Sequence, residues 1–290
     1  MCDENTVDDA EQALSDGLTR RQLGLAIGAG GLAAWLPSTA AAGDLVESDV
    51  SITTPDGVAD AYFVHPAKGK HAAVLIWPDI LGLRPAFRLM GKRLAGDGYA
   101  VLVVNPYYRT AKSPVVSEGQ SFRDPEVREK VFPLARSLSP ETNATDANAF
   151  ISWLDEQTSV DTNRGVGTTG YCMGGPMVMR TAAAVPSRVR AGGSFHGGGL
   201  VTEADNSPHR LIPGMQASFL IAIASNDDEK ESDAKDALRE AFADASLRAE
   251  IEVYEGALHG WCPPDSPVYH EAQAERAWSR LLALFEESLA

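Results

Sequence analysis

Cys172 lies within Gly170-Tyr171-Cys172-Met173-Gly174-Gly175, where a thiol could attack a carbonyl carbon. Gly165-Val166-Gly167-Thr168-Thr169 before it reads as a short buried strand, and Pro176 to Ala184 after it reads as a helix with Pro176 in its first turn. Strand, sharp Gly-x-Cys-x-Gly turn and helix form a nucleophile elbow. The turn forces the nucleophile into a strained backbone conformation, so its neighbours must be nearly free of side chain. The helix N-terminus behind it favours a thiolate and a developing oxyanion. Taken alone, the hexapeptide is better read as a small buried cysteine in a glycine-rich turn. What changes the balance is the order of residues downstream. Acids follow in Asn226-Asp227-Asp228, and then a histidine in Leu258-His259-Gly260-Trp261. Nucleophile, acid and histidine in that order can make a triad. His259 would activate the thiol and protonate the leaving group, and one aspartate would hold its imidazole tautomer.

The elements that must position these residues alternate between strand and helix. Val46 to Thr53 and Ala59 to Val64 read as an antiparallel hairpin at a sheet edge, turning at Thr54-Pro55-Asp56-Gly57. Residues 72–77 and 99–104 are continuous apolar runs, as strands covered on both faces require. Residues 189–194, 217–224 and 249–254 are further strands. Helices are expected at 86–95, 142–157, 233–243 and 268–289, with a partly helical stretch at 127–138. Ala237, Leu238 and Ala241 should face inward on the 233–243 helix. The irregular stretch from Asn105 to Ser121 is long for a crossover and should cover one end of the sheet. This alternation predicts an α/β fold, a mostly parallel, doubly wound sheet flanked by helices, in a single domain at 43–290.

Together, Gly170–Gly175, Ser194-Phe195-His196-Gly197-Gly198, Asn226-Asp227-Asp228 and Leu258-His259-Gly260-Trp261 resemble the dienelactone hydrolase family of α/β-hydrolases, over residues 48 to 288. The resemblance implies an enzyme that opens small-molecule esters or lactones with a Cys-Asp-His triad, here Cys172, Asp227 and His259, through an acyl-thioester. It favours Asp227 over Asp228. It places the oxyanion hole at the backbone N–H groups of Met173 and Ile80. The family commonly has a glutamate contacting the resting cysteine, and Asp79 takes that place here, a shorter side chain for a thiol-gating role. The family also carries an arginine shortly after the triad histidine to hold a substrate carboxylate. Gly260-Trp261-Cys262-Pro263-Pro264 has none, which weakens the dienelactone assignment and leaves the substrate open. Trp77, Tyr107, Tyr108, His196 and Trp261 are candidates for an apolar pocket wall, or for ordinary packing.

The chain has 290 residues, 44% hydrophobic and 22% charged, with net charge −15. It has no basic cluster to follow a phosphate backbone, which argues against nucleic acid as a partner. Residues 1–18 are acidic and read as disordered. A twin-arginine pattern follows at Arg20-Arg21, then an uncharged run from Leu23 to Leu36 and an Ala40-Ala41-Ala42 cleavage signal. That run falls short of the roughly 20 residues of a membrane span. Residues 1–42 are therefore expected to be a leader handled transiently by the twin-arginine (Tat) export machinery. The mature protein would be periplasmic or extracellular, with no stable membrane anchor. Of three cysteines, only Cys172 and Cys262 lie beyond the leader. They form neither a disulfide framework nor a zinc pattern, and Cys262 is expected to be buried and turned away from Cys172. No metal or cofactor is expected. Alternatives on the same site are an acyltransferase, with an alcohol replacing water, and a non-catalytic binding protein.

Overall fold

Eight strands form one sheet in the computed structural model, which describes residues 44–290. The acidic start, the twin-arginine pattern and the cleavage signal lie outside the described residues. Strands β1 (Leu45–Thr54) and β2 (Gly57–Pro66) make the expected hairpin, and β2 pairs antiparallel with β4 (Ala100–Val104). The remaining pairings are parallel. They involve β3 (Ala73–Trp77), β5 (Val166–Tyr171), β6 (Val189–Phe195), β7 (Ser218–Ala224) and β8 (Ala249–Tyr254), in the order β1-β2-β4-β3-β5-β6-β7-β8.

Alternation along the strands builds two cores. Val74 and Ile76 of β3 pack on one face, with Phe87 and Met90 of α1 (Pro85–Gly96) and Leu281 and Phe285 of α7 (Glu271–Ser288). Leu75 and Trp77 point to the other face. There they meet Phe150 of α3 (Pro140–Asp155) and Val178 of α4 (Gly174–Ala184), while Phe242 of α6 (Ala234–Asp244) closes the far end. Each fully buried aromatic or aliphatic side chain contributes about 1.5–3 kcal/mol. Helix α3 starts in a reciprocal capping box between Ser139 and Thr142.

A third, smaller core covers the carboxyl end of the sheet. The loop after β4 and α2 (Pro125–Arg136) bring Val115, Val127, Val131 and Leu134 against Ile80 and Tyr107. This is the covering expected of that long excursion. Asp60 ties the loop down, accepting from the Asn105 side chain at 2.9 Å and from the Ser113 hydroxyl at 2.6 Å.

Two local expectations need correction, and one short helix was not foreseen. Asn226-Asp227-Asp228 lies in that helix, α5 (Ser225–Lys230). Helix α6 buries Leu238 and Phe242, while Ala237 and Ala241 stay half-buried, because the large ring takes the inward direction. Helix α7 begins at Glu271 rather than Val268, with His270 as N-cap accepting from the Gln273 N–H.

The elbow requires glycine for space. A β-carbon on Gly174 would lie 2.3 Å from the Trp77 carbonyl oxygen, and one on Gly170 would lie 2.2 Å from the Gly174 carbonyl oxygen. Both obstacles are backbone and cannot rotate aside. Gly174→Ala is therefore expected to destabilise the protein by about 3 kcal/mol or more. Thermal melting checks this, and a midpoint close to wild type would contradict the packing described.

Candidate active site

Cys172 stands at the apex between β5 and α4 with φ of 52°, a left-handed conformation rare for a residue with a side chain. Two hydrogen bonds hold it there. Its N–H donates to the Phe195 carbonyl at 3.0 Å, and its carbonyl accepts from the Gly175 N–H at 3.0 Å. Cys172 and His259 wall the same cavity, of about 100 Å³.

His259 is placed from two sides. Its Nδ1 lies 2.8 Å and 3.0 Å from the two carboxylate oxygens of Asp227. Its backbone N–H donates to the Asn226 side-chain oxygen at 2.8 Å. Both partners come from the first turn of α5, so one short helix sets the height and the rotation of the imidazole. Asp228 points elsewhere, paired with Lys235 through both oxygens at 2.6 and 2.7 Å. The Asn226 contact was not read from the sequence, although its asparagine stood beside the candidate acids.

Met173 is the N-cap of α4, and Ile80 follows β3 in the facing loop. Both line a second, larger cleft beside the first. The Tyr107 hydroxyl donates to the Ile80 carbonyl at 2.8 Å and lies 3.3 Å from the Met173 sulfur. Tyr107 is thus a buried strut between the two candidate oxyanion residues. It is not a wall of either cleft.

Asp79 lines the cavity, but Arg84 holds both of its oxygens, at 2.6 and 3.0 Å. One oxygen also accepts from the Leu81 N–H at 2.9 Å. The same guanidinium grips Asp265 at 2.7 and 2.9 Å. Burial opposes the charge on Arg84, but Asp79 and Asp265 outweigh it and raise its affinity for its proton. Asp79 is therefore part of a clamp that ties the loop after β3 to the loop after His259. A free carboxylate waiting for a thiol would look different. Arg84 and Asp265 are 181 residues apart, too far for local pattern to reveal the clamp.

Three of the pocket candidates are core. Trp77 donates its indole N–H to the Thr181 hydroxyl at 3.1 Å, pinning β3 to α4. Tyr108 is hydrogen-bonded to Thr54 and Asp146. Trp261 is fully buried, 4.6 Å from the Tyr254 ring. The loop turns Trp261 beneath the site because large apolar rings gain most from burial. Cys262 is a free cysteine buried in the same core, and burial pushes its thiol up.

His196 does line the cavity, from below. It is buried, with φ of 40°, and its ring meets His259 edge-on at 5.1 Å. Burial, reinforced by His259, holds its pKa well below the usual 6.5. A histidine kept neutral in the folded state binds fewer protons than in the unfolded chain. Its contribution to stability is complete above pH 6.5 and is lost as pH falls below it. His196→Asn keeps a residue type that tolerates positive φ. Between pH 8 and 5, wild type is expected to lose stability more steeply than His196→Asn. The limiting difference for one proton is about 1.4 kcal/mol per pH unit. Parallel denaturation profiles would contradict the assignment.

Comparison with known proteins places the chain in a family. The model of the dienelactone hydrolase family matches residues 59–289. A candidate carboxymethylenebutenolidase of Escherichia coli K12 is 26% identical over 248 residues, covering 84% of this chain and 88% of its own. The carboxymethylenebutenolidase of Pseudomonas putida is 24% identical over 239 residues, covering 82% and 95%. A Klebsiella pneumoniae protein solved as a candidate dienelactone hydrolase shares the fold, with a TM-score of 0.72 at 24% identity, covering 84% and 99%. The chain belongs to the dienelactone hydrolase family, and its sheet and flanking helices are those of an α/β-hydrolase domain. Among the described residues, no helix is long and apolar enough to cross a membrane, and no cluster of three or more His, Cys, Asp or Glu could hold a metal ion.

Proposed function

We propose that this member of the dienelactone hydrolase family, a hydrolase of ester bonds, cleaves a small-molecule carboxylic ester or lactone through Cys172, His259 and Asp227. The observation that carries the reading is the shared cavity. The strained residue at the elbow and a histidine oriented by a carboxylate face the same space. Cys172, deprotonated by His259, attacks the carbonyl carbon. The carbonyl oxygen takes the negative charge beside the N–H groups of Met173 and Ile80. The tetrahedral intermediate then collapses, His259 gives its proton to the departing alcohol oxygen, and an acyl-thioester remains on Cys172. Water, activated by His259, attacks that thioester and releases the acid. Asp227 holds Nδ1–H throughout, leaving the other ring nitrogen for proton transfer.

A panel of activated esters, lactones and thioesters tests this, with a reductant present. Turnover of at least one class should disappear in step with carboxamidomethylation of the Cys172 peptide. Full turnover after complete modification of that peptide would sink the reading.

A further inference from the structure

Beside the small cavity at Cys172 lies a cleft of about 870 Å³ that the proposed chemistry does not use. Its size falls within the range of small-molecule sites, about 300–1,000 Å³. Ile80 and Met173, the candidate oxyanion residues, form one side. Helices α2, α3 and α4 and the loop after β6 form the rest, through residues such as Phe132, Asn143, Met177 and Arg180.

Two features of the lining point to a ligand. Asn143 is 3% exposed, yet neither atom of its side-chain amide has a hydrogen-bond partner. Leaving such a group unsatisfied costs about 1–3 kcal/mol. The second feature is charge. Arg180 projects from the elbow helix with its Nε buried and without a partner. Arg136, exposed at the rim, stacks over the Phe132 ring at 5.4 Å. Neither arginine makes an ion pair among the described residues, and no carboxylate lines the cleft. Glu141, exposed at the start of α3, only partly offsets the burial that lowers the proton affinity of Arg180. In a chain of net charge −15, an acid-free cleft with two arginines suits an anion.

The positions of the triad decide which half of the substrate enters. His259 must reach the leaving-group oxygen, and it lines the Cys172 cavity and a cleft shared with Asp227, but not this one. With the carbonyl oxygen at Met173 and Ile80, the leaving group lies toward His259 and the acyl group lies away from it. We infer that the cleft binds the acyl half of the substrate, and that this acyl group carries an anion such as a carboxylate at its far end, held by Arg180 and Asn143 with Arg136 at the rim. This side of the carbonyl is opposite the stretch after His259. The inference rests on the proposed role of Cys172 for its orientation; the anion site itself does not.

The test pairs 4-nitrophenyl monoesters of glutaric, adipic and pimelic acids with uncharged 4-nitrophenyl esters of equal chain length. Wild type is expected to favour the charged member of at least one pair by roughly tenfold in kcat/KM, the scale of one charge-assisted hydrogen bond. Arg180→Gln should erase most of that ratio, and Arg180→Lys should restore part of it. Calorimetry of adipate with the purified protein reads the same site without turnover. Adipate should bind wild type, and bind Arg180→Gln at least tenfold more weakly. Binding of this kind in a protein that turns over no ester would support the cleft while the proposed function fell. No preference for the charged esters together with no adipate binding would overturn the inference. So would a loss of preference confined to Arg123→Gln, since Arg123 lines the smaller cavity.

Discussion

Cys172→Ala is expected to lower kcat/KM on the best ester by roughly 10⁴- to 10⁶-fold, the loss that follows removal of a covalent nucleophile. The alanine keeps a β-carbon at the elbow, so the backbone strain at φ of 52° is unchanged and the fold should survive. Residual activity would come from the oxyanion donors and from His259 acting on water. Cys172→Ser separates position from chemistry. A hydroxyl in the same place is far less ionised than a thiol, so its rate should fall between cysteine and alanine. Steady-state kinetics and a thermal melt on the same preparations check this. A variant that is well folded and retains near wild-type turnover would remove Cys172 from the mechanism.

Asp227→Asn is expected to reduce kcat by roughly 10³- to 10⁴-fold, the penalty for a histidine held in the wrong tautomer. The amide can present its NH₂ to Nδ1, which turns that nitrogen into an acceptor and places the proton on the nitrogen needed as base. Asp228→Asn should leave kcat within a few-fold of wild type. It breaks only the partly exposed pair with Lys235, worth about 1 kcal/mol or less to stability. Measuring kcat for both variants distinguishes the two acids. A larger loss in Asp228→Asn would mean that α5 presents a different residue to His259 during turnover.

The middle of the sheet was legible because β3 and β4 are continuous apolar runs, and the elbow because its glycines are demanded by backbone contacts. Gly174 and Gly170 stand where any β-carbon would strike main chain. The candidate site was legible as residue types in order, because parallel strands β5, β7 and β8 place the residues that follow them at one end of the sheet. What was not legible depends on distant partners. The Arg84 clamp joins Asp79 to Asp265 across most of the chain. Trp261, two residues beyond His259, reads equally as pocket wall or core, and only the path of the loop over Tyr254 turns it inward. The six residues of α5 are too few to carry a periodic signal, so the helix that holds Asp227 went unread. The unpartnered amide of Asn143 is invisible in sequence, because its meaning lies in what fails to approach it.

Turnover through Cys172 requires a covalent acyl-thioester there, and rapid-quench mass spectrometry observes it directly. Reduced protein is mixed with an activated ester, quenched in acid within the first turnovers, and digested. The peptide containing Cys172 should gain the mass of the acyl group, the adduct should decay on a longer delay before quenching, and it should accumulate in His259→Ala if acylation by an activated ester still proceeds. An acyl group found on another residue, or turnover with no adduct at any delay, would contradict turnover through Cys172.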